Sequence, residues 1–283
     1  MAVMSADTEG LDFGEKNESY ALAYAVIAQL WSLHPLLGST AEEARDRKVE
    51  LAQTGEGEVS PGAQFEAEDQ EARNGEARLL WLQKVEDYDQ LVSSSMRLLS
   101  IVSTINQVRE ASPKAKIVVF SQYLKFLDIL DVALRRDVGV RMIRFDGTVH
   151  PLTRRRRLEE FAEEKEGVVL LITAGIGLNI TEASVVLICE EWWNGNAERQ
   201  CICRVWRQGR DGGTLVVNFR GTNSAICGVI SSGRKAKDRI NKELMGPLVR
   251  GHKEPPVILE LLHQRDLPPQ KFEELDVLMT EGF

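Results

Sequence analysis

Cysteine is scarce in this sequence, which has 4 cysteines among 283 residues. So few thiols at irregular positions exclude a secreted disulfide framework. Cys201 and Cys203 also lack the spacing and the histidine pair of a zinc site, so we expect no structural metal. Long apolar runs are missing as well, because no segment approaches the roughly 18 apolar residues that a membrane span requires. We therefore expect a soluble, intracellular protein.

Positive charge is in deficit over the whole chain, whose formal net charge is −8. The deficit is not uniform, because residues 1–110 carry −11, residues 111–250 carry +7 and residues 251–283 carry −4. Local potential rather than total charge attracts a polyanion. The basic middle segment is therefore compatible with contact to nucleic-acid phosphates.

The two ends of the chain differ in composition from its middle. Apolar residues at helical spacing from Leu22 to Leu33 predict a helix that Pro35 stops. A second apolar face from Leu91 to Val108 predicts further helix, with Ser95 and the two serines before it able to cap an internal restart. The predicted divisions are a helical segment at 1–37, an acidic flexible linker at 38–78, connector helices at 79–110, an α/β lobe at 111–250 and an irregular or helical tail at 251–283.

After Pro113 the pattern alternates between short β-branched runs and longer amphipathic stretches. This alternation is typical of βαβ units around a parallel sheet, and the strands lack internal polar alternation because helices cover both sheet faces. Helices are predicted near 122–136, 151–165, 196–208 and 222–244. The predicted strands are Lys116–Phe120, Val140–Phe145, Val168–Ile172, Val185–Cys189 and Thr214–Phe219.

Residues that could carry chemistry follow the strands, where open α/β sheets bind their ligands. Gly175 and Gly177 could let a phosphate approach the backbone, but the loop is equally compatible with a tight strand-to-helix turn, since a third glycine is missing. The run of arginines at 154–157 is compatible with a solvated helix face, although four adjacent side chains cannot share one face. Trp192 and Trp193 are more typical of packing than of stacking.

Gln200, Arg204 and Arg207 lie on one stripe of a predicted helix. Two guanidinium groups and an amide suit a polyphosphate, because arginine stays charged and presents a rigid fork of donors. The alternative is a surface salt-bridge stripe with Glu198 and Asp211. One apparent phosphate loop, from Gly228 to Lys235, is rejected because Arg234 interrupts the motif and the segment has a helical pattern.

Taken in order, these loops resemble the second RecA-like lobe of superfamily-two helicase-like ATPases of the SWI/SNF-like kind and their DNA-repair relatives. The matching stretches are KIVVFSQYLKFLDIL, RFDGTVHPLTRRRRLEEF, ITAGIGLNITEAS and EEWWNGNAERQCICRVWRQGR, and LWSLHPLL near the start resembles a segment between the two lobes. The resemblance implies an α/β fold with a RecA-like parallel sheet flanked by helices, preceded here by a helical extension.

The resemblance also implies roles for individual residues. Contacts to the sugar-phosphate track of duplex DNA are implied for Gln122, Thr148, Arg154 and Thr173. Contacts to ATP and Mg²⁺ bound by a first lobe are implied for Gly177, Asn179, Gln200, Arg204 and Arg207, of which Arg204 and Arg207 are the candidate catalytic residues and Arg207 is the expected arginine finger. Nuclear location and chromatin or repair partners are implied by the same likeness.

Several departures from the family pattern bear on activity. Glu190 and Glu191 occupy the positions where the family has Asp-Pro. Cys203 occupies the position of an aspartate, and Arg210 that of a glutamine. The sequence also contains no G-x-x-x-x-G-K-[ST] motif and no DEAD- or DEAH-like carboxylate box, so this chain alone is expected to bind no nucleotide and hydrolyse no ATP.

Three hypotheses remain open at this point. The first is one half of an ATP-dependent DNA translocase that acts with a first lobe. The second is a catalytically inactive lobe that binds DNA or protein. The third, a nucleotide-binding Rossmann enzyme, depends only on Gly175 and Gly177.

Overall fold

The computed structural model describes residues 15–53, 75–147, 149–173, 179–206, 213–221 and 224–245. Within these residues the fold is α/β, as predicted, with one sheet between two layers of helices. The helices are α1 Glu15–Leu33, α2 Pro35–Gln53, α3 Gly75–Glu86, α4 Met96–Ala111, α5 Leu124–Ala133, α6 Pro151–Glu163, α7 Gly195–Val205 and α8 Ala225–Met245.

The described sheet has five strands in the spatial order β2-β3-β1-β4-β5, and all its pairings are parallel. Each predicted strand is confirmed to within two residues, because β-branched runs between amphipathic helices leave few alternatives. The strands are β1 Ile117–Ser121, β2 Met142–Phe145, β3 Val169–Thr173, β4 Val185–Ile188 and β5 Leu215–Asn218.

Both faces of the sheet are buried, in two separate apolar clusters. Ile117 and Val119 of β1 point into the cluster that contains α1, α2, α4 and α5. Val118 and Phe120 of the same strand point into the cluster under α6 and α7. Successive side chains of a strand alternate between faces, so a continuously apolar strand is stable only when both faces are covered.

A single π-helical turn, Leu134–Val138, extends α5 toward β2. It ends at Gly139, whose φ of 61° is in the left-handed region that glycine adopts without steric cost. This glycine lets the chain reverse from the helix into β2, and so it helps to place the residues that follow that strand.

The N-terminal helices differ from the sequence prediction. The prediction that residues 38–53 are part of a flexible linker is wrong, because α2 continues to Gln53. The charged composition concealed a short apolar stripe of Leu37 and Ala41, which is buried together with Leu36. Residues four apart share one helix face, so this stripe suffices to dock α2. The last part of the predicted linker, residues 75–78, is helical as well, because α3 begins at Gly75. Residues 54–74 of the linker lie outside the described residues, as do 1–14 and the tail 251–283.

The predicted helix stop at Pro35 is confirmed, because α1 ends at Leu33. A second helix, α2, begins at Pro35 itself. Proline is favourable in the first turn of a helix, and the Leu36 N–H donates to His34 Nδ1 at 3.1 Å. Ser95 caps α4 as predicted, because its hydroxyl accepts a hydrogen bond from the Leu98 N–H at 3.2 Å. None of the described helices is both long enough and apolar enough to cross a bilayer.

Candidate nucleic-acid and nucleotide interface

Three neighbouring strands bring predicted DNA contacts to one edge of the sheet. Ser121 at the end of β1 is paired with Thr173 at the end of β3, and Phe145 of β2 is paired with Ile172 of β3. Neighbouring strands lie about 4.8 Å apart, so the ends of three strands span about 10 Å. We call Gln122, Thr173 and Asp146 the carboxyl-end row. Gln122 is exposed and Thr173 is half-buried, whereas Asp146 is buried.

The loop after β2 is anchored on both of its described sides. The Val149 N–H donates to the Asp146 carbonyl oxygen at 3.2 Å, and Arg154 Nε donates to the Val149 carbonyl oxygen at 3.0 Å. Arg154 is therefore held beside the carboxyl-end row while its side chain remains partly accessible. Thr148, which lies between these anchors, is outside the described residues.

The four arginines of α6 point in different directions, as expected. Arg155 pairs with the exposed Glu159 at 2.8 Å, and an Arg157 guanidinium nitrogen donates to the Arg144 carbonyl oxygen at 3.4 Å. Arg156 is exposed. Arg154 is thus the member of the run that contacts the loop after β2.

The predicted nucleotide-binding residues lie on and beside α7. Gln200 is exposed and Arg204 is half-buried one helical turn later. The Ile180 N–H donates to the Arg204 carbonyl oxygen at 2.9 Å, which brings the exposed Asn179 to the end of the same helix. These three residues are thus brought together, while Gly177 and Arg207 lie outside the described residues.

The salt-bridge alternative for this helix fails at Glu198. Its carboxylate is buried and receives two hydrogen bonds from Arg234 of α8, at 2.8 and 2.7 Å. It also accepts from the Trp192 N–H at 2.8 Å. Glu198 is therefore paired with α8 and with the loop after β4, and it ties the start of α7 to both. Asp211, the other proposed salt-bridge partner, lies outside the described residues.

A second buried carboxylate joins two loops of the sheet edge. Glu190 Oε1 accepts a hydrogen bond from the Gln122 backbone N–H at 2.6 Å and another from Trp192 Nε1 at 3.0 Å. Among the described residues, Glu190 Oε2 has no hydrogen-bond partner. Burial raises the pKa of Glu190 from 4.5 to about 7, against the stabilising hydrogen bonds from Gln122, Ser121 and Trp192. The substitution noted in the sequence thus links the loop after β4 to the loop of Gln122.

The buried Arg97 ties the same edge to the helical extension. Its guanidinium donates to the carbonyl oxygens of Cys189 at 3.0 Å and Phe219 at 2.5 Å, just beyond β4 and β5. Its Nε donates to the Ser32 carbonyl oxygen of α1 at 3.3 Å. A buried arginine with three carbonyl acceptors satisfies backbone groups that would otherwise cost free energy at the strand ends.

A further buried charge cluster was missed by sequence reasoning. The Asp128 carboxylate of α5 is fully buried and contacts the guanidinium groups of Arg78 and Arg144 and the indole N–H of Trp81. Arg144 also contacts Asp146 of the carboxyl-end row. The one signal in the sequence was Arg144, a charged residue on the predicted strand β2. Its partners could not be predicted, because they are remote in sequence.

Two other sequence interpretations are settled by position. The segment from Gly228 to Lys235 lies inside α8, so the rejection of a phosphate loop there is confirmed. Trp192 is buried, and Trp193 is half-buried with its Nε1 donating to Gln29 Oε1 at 2.9 Å, so both pack as expected. Neither ring is presented as a stacking surface.

The sequence of the lobe matches a known family. The model of the helicase conserved C-terminal domain matches residues 97–209. Residues 97–209 are a helicase C-terminal domain. This match confirms the resemblance stated from the four motif stretches, and every predicted DNA-binding and nucleotide-binding residue, from Gln122 to Arg207, lies within it.

Relatives of this helicase C-terminal domain include DNA repair proteins. The chain is 37% identical to DNA repair protein RAD5 of Cryptococcus neoformans over 130 residues, which are 44% of this chain and 11% of that protein. It is 35% identical to RAD5B of Arabidopsis thaliana over 128 residues (44% and 10%) and 35% identical to rad8 of Schizosaccharomyces pombe over 129 residues (44% and 11%). The chain therefore spans about a tenth of the length of these relatives.

Among solved structures, the C-terminal part of the Fun30 ATPase domain matches with 20% identity and a TM-score of 0.48, over 59% of this chain and 58% of that one. The helices α1, α2, α3 and α8 lie outside the matched helicase C-terminal domain. Of these helices, α8 holds Glu198 and α3 holds Asp128 from outside the domain.

Proposed function

We propose that this chain is the second lobe of an ATP-dependent DNA translocase of the chromatin-remodelling or DNA-repair type. The observation that carries the proposal is the separation of two residue sets on one helicase C-terminal domain. The carboxyl-end row and Arg154 lie beyond β1, β2 and β3, whereas Gln200, Arg204 and Asn179 lie on and beside α7. A second lobe needs both sets, one for the DNA track and one for the nucleotide.

The DNA part of the proposal concerns the sugar-phosphate backbone. Gln122, Thr148, Arg154 and Thr173 bind phosphate and sugar oxygens, which position a protein on duplex DNA without reading its sequence. The basic balance of residues 111–250, which carry +7, favours this contact electrostatically. Movement along the duplex, rather than strand separation, is the proposed outcome.

The ATP part of the proposal depends on the donor set. Gln200 and Arg204 present an amide and a guanidinium group. Glu198 does not pair with Arg204, because both of its carboxylate oxygens accept hydrogen bonds from Arg234. These donors fit a polyphosphate, and Asn179, Gly177 and Arg207 complete the proposed contact surface. ATP with Mg²⁺ would supply the phosphoryl group that is transferred, and the first lobe would hold most of it. Arg207, the proposed arginine finger, and Arg204 neutralise charge on the transferred group, an effect worth roughly a thousandfold or more in turnover.

The proposed partners follow from this division of labour. A first RecA-like lobe supplies the Walker A loop and the metal-binding carboxylates, either from the same product or from a separate chain. The relatives are named DNA repair proteins, so we place the protein in the nucleus with DNA-repair or chromatin proteins as its partners.

A second candidate is a catalytically inactive lobe that binds DNA or protein. The observation in its favour is the altered motif around the sheet edge, where Glu190 and Glu191 are buried and Cys203 is exposed in place of an aspartate. This candidate keeps the DNA contacts and loses the dependence on ATP. The two candidates therefore differ only in what happens when a first lobe is supplied.

Binding of duplex DNA is the first test. Fluorescence anisotropy of the chain with a labelled duplex, between about 50 and 200 mM salt, should show affinity that falls steeply with salt because counterions are released. Arg154→Ala should weaken binding and reduce the salt slope by about one. Arg155→Ala is the matched control, since it removes the same charge one residue away, and it should have the smaller effect. Equal effects, or no salt-dependent binding, would refute the DNA contact.

Reconstitution of ATP turnover is the second test. The chain alone should hydrolyse no ATP, and a mixture with a purified first RecA-like lobe that carries a Walker A loop should hydrolyse ATP when duplex DNA is added. Arg204→Ala should reduce that turnover while leaving DNA affinity unchanged. Salt-dependent DNA binding without any turnover in the mixture would favour the inactive binding module instead.

A further inference from the structure

The Asp128 cluster connects the helical extension to the helicase C-terminal domain. Arg78 and Trp81 belong to α3, which lies outside residues 97–209, whereas Asp128 and Arg144 lie inside. The Arg78 guanidinium donates hydrogen bonds to both carboxylate oxygens of Asp128, and Trp81 Nε1 donates to Oδ2 at 2.7 Å. An Arg144 guanidinium nitrogen lies 2.6 Å from Asp128 Oδ1.

Arg144 is shared between carboxylates. Besides Asp128 it contacts Asp146, which is also fully buried, and its guanidinium lies 3.6 Å from Asp131 Oδ2. The two fully buried carboxylates, Asp128 and Asp146, thus share Arg78 and Arg144, whereas Asp131 also pairs with Arg135 at 3.2 Å. Because an unpaired buried carboxylate is costly, loss of Arg78 would draw Arg144 toward Asp128 and away from Asp146.

Asp146 is in turn connected to the proposed DNA contacts. Its carbonyl oxygen accepts the Val149 N–H, and the Val149 carbonyl oxygen accepts Arg154 Nε–H. Arg157 adds a second link, because its guanidinium donates to the Arg144 carbonyl oxygen. A displacement of Arg144 would therefore be transmitted to the loop that holds Arg154.

We propose that Asp128, held by Arg78 and Trp81 of α3, is the positioning residue of the DNA-contact loop between β2 and α6. The helical extension then sets the DNA affinity of a domain to which it does not itself belong. This inference rests on the proposed DNA contact of Arg154. It assigns a role to α3 that neither the family match nor the relatives describe.

The chain offers a charge-matched control for this proposal. Arg135, on the π-helical turn after α5, pairs with the exposed Glu86 of α3 at 2.7 Å. Arg135→Met therefore also removes one positive charge, together with the ion pairs of Arg135 to Glu86 of α3 and to Asp131 of α5, but it leaves every Asp128 contact in place. Any effect that Arg78→Met shows beyond this control is due to the buried cluster.

The experiment measures duplex affinity against salt for the whole chain and for Arg78→Met, Arg135→Met, Arg154→Ala and the Arg78→Met/Arg154→Ala double variant. Arg78→Met should weaken binding about threefold to tenfold and lower the salt slope by about one, because the Arg154 contact is displaced. Arg135→Met should change affinity by less than about twofold. The double variant should bind no more weakly than Arg154→Ala, since both changes act on one contact.

Each outcome separates the positioning role from the DNA role. If Arg154→Ala binds like the unaltered chain, the proposed DNA contact is refuted and the positioning role with it. If Arg154→Ala weakens binding but Arg78→Met resembles Arg135→Met, or if the two effects add fully, only the positioning role is refuted. Circular dichroism verifies folding. Arg78→Lys, which keeps the charge but not the bidentate fork, replaces Arg78→Met if that variant does not fold; because lysine still pairs with Asp128, it should show a smaller loss of salt slope that nevertheless exceeds that of Arg135→Met.

Discussion

Glu190 makes the stability of this fold depend on pH in a direction opposite to that of most carboxylates. Its side chain is 1% exposed, and burial raises its pKa from 4.5 to about 7. The folded state therefore binds the proton more tightly than the unfolded state does. The stabilisation is fully present below about pH 4.5 and is lost as the pH rises through about 7.

The magnitude follows from the same two values. A pKa that rises from 4.5 to about 7 on folding corresponds to about 3 kcal/mol of unfolding free energy. Glu190→Gln removes the titration while its carbonyl oxygen can still accept from the Gln122 N–H. The new amide donor lacks an acceptor at the former Oε2 position, which costs about 1–3 kcal/mol at every pH. The prediction therefore concerns the change with pH and not the absolute stability.

Urea denaturation of the unaltered chain and of Glu190→Gln, from pH 4.5 to pH 8.5, measures this change. The unaltered chain should lose about 3 kcal/mol relative to the variant across that range. His34, whose pKa burial lowers, contributes with the opposite sign, because its stabilisation is lost as the pH falls below 6.5. It is common to both proteins and cancels in the difference.

Glu182→Gln is the matched control, since Glu182 is exposed at the other end of β4. Its pH profile should run parallel to that of the unaltered chain. If Glu190→Gln also runs parallel, then Glu190 is ionised in the folded state at ordinary carboxylate pH values, and the reasoning from burial is refuted.

The remaining predictions concern stability. Arg234→Met should lower the unfolding free energy by about 3–5 kcal/mol in urea titrations, because it leaves the buried Glu198 without a cation; a loss below about 1 kcal/mol would contradict the stabilising role of this ion pair. His34→Ala should cost about 2–3 kcal/mol in thermal melts analysed at one temperature, since the ring accepts from the Leu36 N–H and donates to the Leu91 carbonyl oxygen at 2.8 Å, and an unchanged melting curve would contradict this pairing. Ser95→Ala should cost about 1–3 kcal/mol in the same melts, because the buried hydroxyl both accepts from the Leu98 N–H and donates to the Leu33 carbonyl oxygen, and Ser95→Asp, which keeps the acceptor but cannot donate to Leu33, should not restore the stability.

The α/β core could be predicted because its signals are local. Five β-branched runs separated by amphipathic stretches leave little choice of strand positions, and all five strands appear where expected. The composition of residues 38–53 led to a wrong prediction for a physical reason. The helix α2 needs only a narrow apolar stripe to dock, and the many charged side chains on its other faces keep the average hydrophobicity of the segment low.

The candidate site was predictable to the extent that it depends on strand ends. Parallel strands bring the residues that follow them to one edge, so the proximity of Gln122, Thr173 and Asp146 follows once the strands are known. Their order across the edge did not follow, because it depends on the spatial order β2-β3-β1-β4-β5 rather than on the order in the chain.

The sequence by itself determined the strands, the helices between and after them and the set of polar residues that the sheet presents at its carboxyl edge. Only the tertiary structure decided which charges support that edge. Arg78 and Asp128 are 50 residues apart, and Glu198 and Arg234 are 36 residues apart. Periodicity reports which face of an element is buried, but it carries no information about which buried charge meets which, because that choice is made by the packing of elements remote in the chain.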